Sequence, residues 1–388
     1  MDNSKRAFFE LIKAGLFPVH GEGVMVHDSL FKDVDWEKVY QLAQEQSVQG
    51  LLLQGIEWFK NHNLNADLDL NISKVLLLQW IGEVQVIEQR NKDMDAFIAG
   101  LIEKLRKAGI YTLLVKGQGV AQCYEKPLWR CSGDVDLFLS KENYDKAKKF
   151  LLPLATATEE EYKREQHLGM TIDNWVVELH GSLRCGLSRR IDWNLDEIKN
   201  DIFCGGSVRS WMNGKTQVFL PGANEDAVFI FTHFLQHFYK EGLGLRQICD
   251  WCRLLWSYRD SLDYGLLESR IRKMGLLSEW RAFGAFAVDY LGMPSEAMPM
   301  YSSDAKWKRK ADKICAFIME VGNMGHNRGS WLMEHDSWFS RLYVVRKVFS
   351  MGRRCDDIIR HMRIFPLDSL RFFPYIMYNG IRSAVRGE

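Results

Sequence analysis

The chain has 388 residues, of which 47% are hydrophobic, 26% charged and 12% aromatic, and its formal net charge is +1. That length allows two or three domains with a substantial core, and 8 prolines among plentiful large apolar side chains exclude a disordered or collagen-like chain. The near-neutral total also excludes a histone-like binder held to nucleic acid by its overall field.

The opening segment, MDNSKRAFFELIKAGLF, carries Glu10 and Lys13 where an export signal would be apolar, so it predicts an amphipathic helix. No stretch approaches the ~20 apolar residues that a membrane span needs. Eight cysteines scattered along the chain lack the density of a disulfide scaffold and predict free thiols and a cytoplasmic location. From Asn71 to Arg106 the residues Leu77, Trp80, Ile81, Val84, Ile87, Met94, Phe97, Ile98, Leu101 and Leu105 recur at helical steps, predicting one long amphipathic helix stopped by Gly109. The pattern then changes to short β-branched runs. Ile110–Val115 and Asp134–Leu139 predict strands, with Ser140 capping a helix over Lys141–Leu152. Met170–Ile172 and Trp175–Leu179 predict a hairpin turning at Asp173-Asn174. Gln217–Leu220 predicts a last strand, after which Asn224 is positioned to cap a helix whose inner face is Val228, Phe231, Leu235 and Phe238. The remainder is helical in pattern. The chain therefore divides into a helical region 1–108, an α/β core 109–222 and a helical region 223–388.

Two features outside the core carry alternative readings. Residues 301–388 hold 16 basic and 9 acidic side chains interleaved with aromatics, as in RIFPLDSLRFFPYIMYNGIR. Such a surface suits an anionic partner (RNA, anionic lipid or a phosphorylated substrate), or it is a helix with solvated arginines over core rings. Cys249 and Cys252 form a CxxC pair, but they lie in a helical pattern without a second pair, which predicts buried structural thiols.

The chemistry is concentrated in VKGQGVAQCYEKPLWRCSGDVDLFLS. A strand ending at Val115 runs into Lys116-Gly117-Gln118-Gly119, where glycines permit close backbone approach and a helix start favours phosphate oxygens. In Asp134-Val135-Asp136 the alternation of a strand puts both carboxylates on one face, about 7 Å apart. Two such anions need cationic partners, and a magnesium ion bridging to phosphate is an economical one. Glu178 shares a face with His180 in WVVELH, so neighbouring strands would bring three carboxylates together.

These residues carry a resemblance. The run KG…R…GDVDL followed by ELH, with ANEDAVFIFTHFLQHF and LGLRQICDWCRLL further on, resembles the uncharacterised bacterial nucleotidyltransferases of the polymerase-β superfold. The resemblance implies an α+β fold, a small mixed sheet with helices, flanked by N-terminal and C-terminal helical regions. It implies transfer of a nucleoside monophosphate from a triphosphate to a hydroxyl acceptor (small molecule, glycan, RNA or protein), with release of pyrophosphate. Asp134, Asp136 and Glu178 would hold two magnesium ions, or manganese, and Glu178 would help activate the acceptor. Lys116, Gly117, Gln118, Gly119, Arg130, Ser132 and Gly133 would bind the nucleotide. Gln118 in the turn and Glu178 in place of an aspartate depart from the superfamily pattern, and the alternative is an inactive nucleotide- or partner-binding module on the same fold.

His180, His233, His237 and Arg246 are candidates for the acceptor site. His233 and His237 stand four apart without the glutamate of HExxH, and Arg246 and Asp250 at the same spacing predict an ion pair. No P-loop, nucleophile elbow or Rossmann fingerprint is present.

Overall fold

The computed structural model describes residues 2–18, 31–62, 70–163, 165–240, 242–323 and 358–386, the side chains of 380–386 excepted. Among the described residues four helices come first: α1 (Asn3–Leu16), α2 (Trp36–Glu45), α3 (Gln49–His62) and α4 (Lys74–Lys107). Asp2 caps α1 by accepting from the Lys5 amide, and Ser73 caps α4 by accepting from that of Leu76. Gly109, at φ +72°, follows the α4 terminus as expected. The strand predicted over Ile110–Val115 contracts to β1 (Leu113–Val115), because the Ile110 amide donates to Leu105 O and completes the helix end.

The sheet region continues with α5 (Gly117–Ala121), β2 (Val135–Phe138), α6 (Lys141–Leu151), β3 (Ala157–Thr158), β4 (His167–Ile172) and β5 (Trp175–His180). Ser140 caps α6 through the Asn143 amide. Asp173 and Asn174 both take positive φ, +49° and +68°, as a two-residue hairpin with native strand twist requires. After α7 (Arg189–Phe203) comes a separate hairpin, β6 (Val208–Asn213) with β7 (Thr216–Pro221). The β6 strand was not anticipated. Its signal is Asn213-Gly214 ahead of the β7 run, with Gly214 at φ +59°.

The described helices that follow include α8 (Ala223–Lys240), α9 (Leu245–Ser257), α10 (Tyr264–Met274), α11 (Leu277–Leu291), α12 (Ala305–Val321) and α13 (Pro366–Arg386). Val228, Phe231, Leu235 and Phe238 are fully buried, as the α8 pattern implies. Asn224 does not cap that helix. It lies inside the first turn, and its side chain donates to Asp263 O (2.7 Å) and accepts from the Asp263 amide (3.0 Å), tying α8 to the start of α10.

Two apolar clusters hold the structure. One joins α1–α3 to α8, α9, α11, α12 and α13, with Trp80, Trp251, Trp280 and Phe283 among its fully buried rings. The other lies under the sheet, where Val135, Leu137, Val177 and Leu179 meet Met94, Ile98 and Leu101 of α4 and Tyr144 and Leu151 of α6. Cys249 and Cys252 are buried thiols, and the described cysteines form no disulfide. No helix among the described residues is long and apolar enough to cross a membrane. Much of the basic C-terminal stretch, including 324–357, lies outside the described residues; in the part described, Phe365 and Phe372 are core residues, while Leu367 and Tyr378 are exposed.

One buried acid has a consequence for stability. Glu279 of α11 is fully buried, accepts from the Tyr239 hydroxyl, and burial together with the Asp368 charge pushes its pKa up to about 8. Its folded pKa exceeds the unfolded value, so folding is favoured while the group is protonated, and that contribution is progressively lost between about pH 4.5 and pH 8. Glu279→Gln is expected to flatten this dependence and raise stability at pH 8 relative to the unaltered chain. Urea unfolding at pH 5 and pH 8 reads the difference.

Candidate active site

Strand order in the main sheet is β1-β2-β5-β4-β3, and β2 runs parallel to β5 while β1 and β4 are antiparallel to their neighbours. The register pairs Asp136 with Glu178, and Phe138 with His180. On the other side of β2, Val115 pairs with Asp136, which brings the Lys116 turn beside the aspartate. Period two sends Val135, Leu137, Val177 and Leu179 into the core beneath the sheet and leaves Asp136, Glu178 and His180 on the opposite face. Across the hairpin, β4 places His167 opposite His180 and Gly169 opposite Glu178. His167 was not singled out from sequence. Its signal was the two-residue turn at Asp173-Asn174, which fixes the partner of every residue back along both strands.

These side chains form one network. The Lys116 ammonium donates to Asp136 Oδ1 at 2.7 Å, and His180 Nε2 lies 2.8 Å from the same oxygen. His180 Nε2 is also 3.2 Å from Glu178 Oε2, as is His167 Nε2, and the two imidazole rings lie 4.8 Å apart. Burial disfavours the charge on His180, and so does Lys116, but the carboxylates of Asp136 and Glu178 prevail and raise its pKa. Burial also raises that of Glu178, yet His167, His180 and Lys116 overcome it and hold the carboxyl far below the usual range. Asp134 sits exposed just ahead of β2. Partial desolvation, then the charges of Glu178 and Asp136, raise its pKa. Lys116 itself adopts φ +55°, a strained backbone for a side-chain-bearing residue, at the point where its ammonium reaches Asp136.

Several residues expected at the nucleotide have other partners. Arg130 is buried, and its Nε and Nη2 each donate to Asp250 at 2.7 Å, while Nη1 donates to Cys131 O and Ser132 Oγ at 3.2 Å. With its donors engaged in this way, Arg130 fixes the loop leading to Asp134 rather than pointing a free guanidinium at a phosphate. The Arg246–Asp250 pair expected from helical spacing is therefore absent: Asp250 accepts from Arg130 and from the Tyr124 hydroxyl (2.8 Å). The Gln118 side chain is buried, donating to Asn91 O (3.3 Å) and accepting from the Ser132 hydroxyl (3.1 Å), so it braces the same loop. Gly119 faces the protein interior, where a Cβ would lie 2.8 Å from Leu220 Cδ2; its smallness serves packing. Gly117, at φ +40°, and Gly133, exposed beside Asp134, remain next to the carboxylates.

The opposite wall comes from α8 and α9. The Lys116 ammonium lies 5.9 Å from the centroid of the Phe229 ring, and that ring is 5.9 Å from His233. His233 and His237 approach through their Nε2 atoms at 3.2 Å. Burial, then the charge of Lys116, drives the His233 pKa well below its usual value, so the ring is neutral near pH 7. Arg246 donates to Cys131 O at 2.5 Å and lies close enough to Asp134 to favour its ionised form.

The donors on this face suit a divalent cation. Among the described residues His167, Glu178 and His180 offer one ligand atom each, all within 4.8 Å of one another. No curated protein and no solved structure matches the chain. The model of a family described as "Uncharacterised nucleotidyltransferase" matches residues 32–292, from the segment before α2 to the end of α11, and the chain belongs to that family.

Proposed function

We propose that the protein transfers a nucleoside monophosphate from a nucleoside triphosphate to a hydroxyl group of an acceptor, with release of pyrophosphate. The observation that carries this reading is the register of β2 and β5, which sets Glu178 directly beside Asp136, with Asp134 two residues away and Lys116 at the adjoining turn. Family membership supports the same chemistry.

In the reaction, the acceptor oxygen forms a bond to the α-phosphorus as the bond to the bridging β-phosphate oxygen breaks, and pyrophosphate leaves with the electron pair. Asp134, Asp136 and Glu178 would hold a magnesium or manganese ion. When bound, that ion polarises phosphate oxygens and offsets the charge of the leaving group. Lys116 brings a fixed positive charge to the phosphate chain, beside the Gly117 backbone. The acceptor's proton leaves to the solvent that reaches the exposed Asp134. His167 and His180 stabilise the ionised form of Glu178, the form that holds a cation. His180 bridges Asp136 and Glu178 and holds them in one orientation.

One observation favours the alternative of a nucleotide-binding module without turnover: Lys116 and His180 both engage Asp136 Oδ1. The assay that separates the two supplies each labelled triphosphate with magnesium or manganese, cell extract as acceptor source, and a pyrophosphate readout. Pyrophosphate release and label transfer that vanish in Asp134→Ala bear out the enzyme. Saturable nucleotide binding without pyrophosphate release bears out the module, and neither outcome leaves the nucleotide reading without support.

A further inference from the structure

The β4–β5 hairpin gathers nitrogen donors that the transfer chemistry above does not use as ligands. Its register sets His167 opposite His180 and Gly169 opposite Glu178, so all four positions lie on one face of the sheet. His167 Nε2 and His180 Nε2 each stand 3.2 Å from Glu178 Oε2. Ligand atoms about 2.0–2.1 Å from a tetrahedral zinc ion lie about 3.3–3.4 Å from one another, close to this spacing. Charge-assisted hydrogen bonds fit it less well, because they draw nitrogen and oxygen to about 2.7–2.9 Å. His180 Nε2 is also 2.8 Å from Asp136 Oδ1, and its single hydrogen cannot be aimed at both carboxylates. The side chains of His167, Glu178 and His180 are 24%, 22% and 11% exposed, which gives an ion a path in and lets water complete its coordination. Gly169 adds negative charge at the rim. The Glu159 carboxylate occupies the space of its missing Cβ, 2.6 Å from that point and on the Glu178 side of the sheet. The opposing charge nearby, the Lys116 ammonium, is paired with Asp136.

We infer that His167, Glu178 and His180 form a binding site for a divalent transition-metal ion of the zinc class, held by two imidazole nitrogens and one carboxylate oxygen. Two of the three donors are nitrogen, a set that suits zinc or cobalt and not magnesium, which prefers oxygen and gives up its water reluctantly. Either ring offers its Nε2 lone pair when its hydrogen resides on Nδ1. Strand pairing fixes the three positions through the backbone, so the site needs little rearrangement to close on an ion. Three protein ligands with an open side are the pattern of a metal that meets substrate rather than one that only ties the fold together. Only a part for this ion in nucleotidyl transfer rests on the reading above; its binding does not.

The test titrates the full chain, first treated with a chelator, with Zn²⁺, Co²⁺ and Mg²⁺ by calorimetry, and follows the visible absorption of Co²⁺. Zinc and cobalt are expected to bind, cobalt with the intense visible bands of a four- or five-coordinate nitrogen-ligated ion, and a large excess of magnesium should not displace either. His167→Ala should weaken both by at least about tenfold, since even residues that only support a ligand are worth that much. Cys204→Ser, which removes an exposed thiol, should leave both unchanged. X-ray absorption at the zinc edge of the unaltered chain needs no variant: imidazole nitrogen and oxygen neighbours without sulfur bear out the site. Sulfur neighbours, zinc bound no more tightly than magnesium, or equal binding in a folded His167→Ala overturn the inference. Zinc held by these residues with no pyrophosphate release under any divalent ion would leave the site standing and remove the transfer reading; transfer with magnesium in a chain that binds no zinc would do the reverse.

Discussion

Asp136→Ala should reduce nucleotidyl transfer by at least about 10²–10³-fold and destabilise the fold by about 3–5 kcal/mol. The two effects have one source. Asp136 is buried and accepts at one oxygen from both Lys116 and His180, whose own side chains are largely buried. Removing the carboxylate leaves the Lys116 ammonium and the His180 Nε2 without that acceptor in a poorly solvated space, with only Glu178 to offset them. Asp136→Asn keeps an acceptor oxygen and the side-chain volume, so it should recover part of the stability without recovering transfer. Urea unfolding of both variants, beside the pyrophosphate assay, makes the comparison. A fully stable Asp136→Ala would mean that Lys116 and His180 do not depend on this carboxylate.

Asp250→Ala is expected to destabilise the protein by a similar amount, about 3–5 kcal/mol, although Asp250 is outside the proposed chemistry. Its carboxylate accepts two hydrogen bonds from the buried Arg130 and one from the Tyr124 hydroxyl, so truncation strands a charge and a polar group together. Arg130 in turn holds Cys131 O and Ser132, the residues that lead into Gly133 and Asp134. Transfer should therefore fall as well, through misplacement of Asp134. Asp250→Asn, which retains the acceptor geometry for one of the two guanidinium contacts, should fall between. Destabilisation read by urea unfolding that stays below about 1 kcal/mol would remove Asp250 from this bracing role.

The hairpin and the carboxylate network illustrate how far local pattern reaches. Alternation along Val135–Phe138 and Trp175–His180 put Asp136, Glu178 and His180 on polar faces before any coordinates, because a strand allows a side chain only two directions. The turn at Asp173-Asn174 contained the pairing of His167 with His180, but the expected β4 began at Met170, three residues too late to include it. The β6 strand was overlooked for a related reason: it pairs only with β7, and its exposed alternation gives a weak apolar signal.

What the sequence determined by itself was therefore the character of each segment: the α4 periodicity, the Ser140 cap, the alternating strands, the acidic triplet and the family to which they point. These depend on repeat distances of 3.6 and 2 residues and on backbone preferences, which act between near neighbours along the chain. Only the tertiary structure decided who partners whom. Asp250 has Arg246 one helical turn away and nevertheless pairs with Arg130, a residue 120 positions distant. A short-range i,i+4 pair on a helix is worth a few tenths of a kcal/mol, whereas leaving the buried Arg130 without a carboxylate would cost several. The larger burial penalty sets the pairing, and it exists only once the chain has folded.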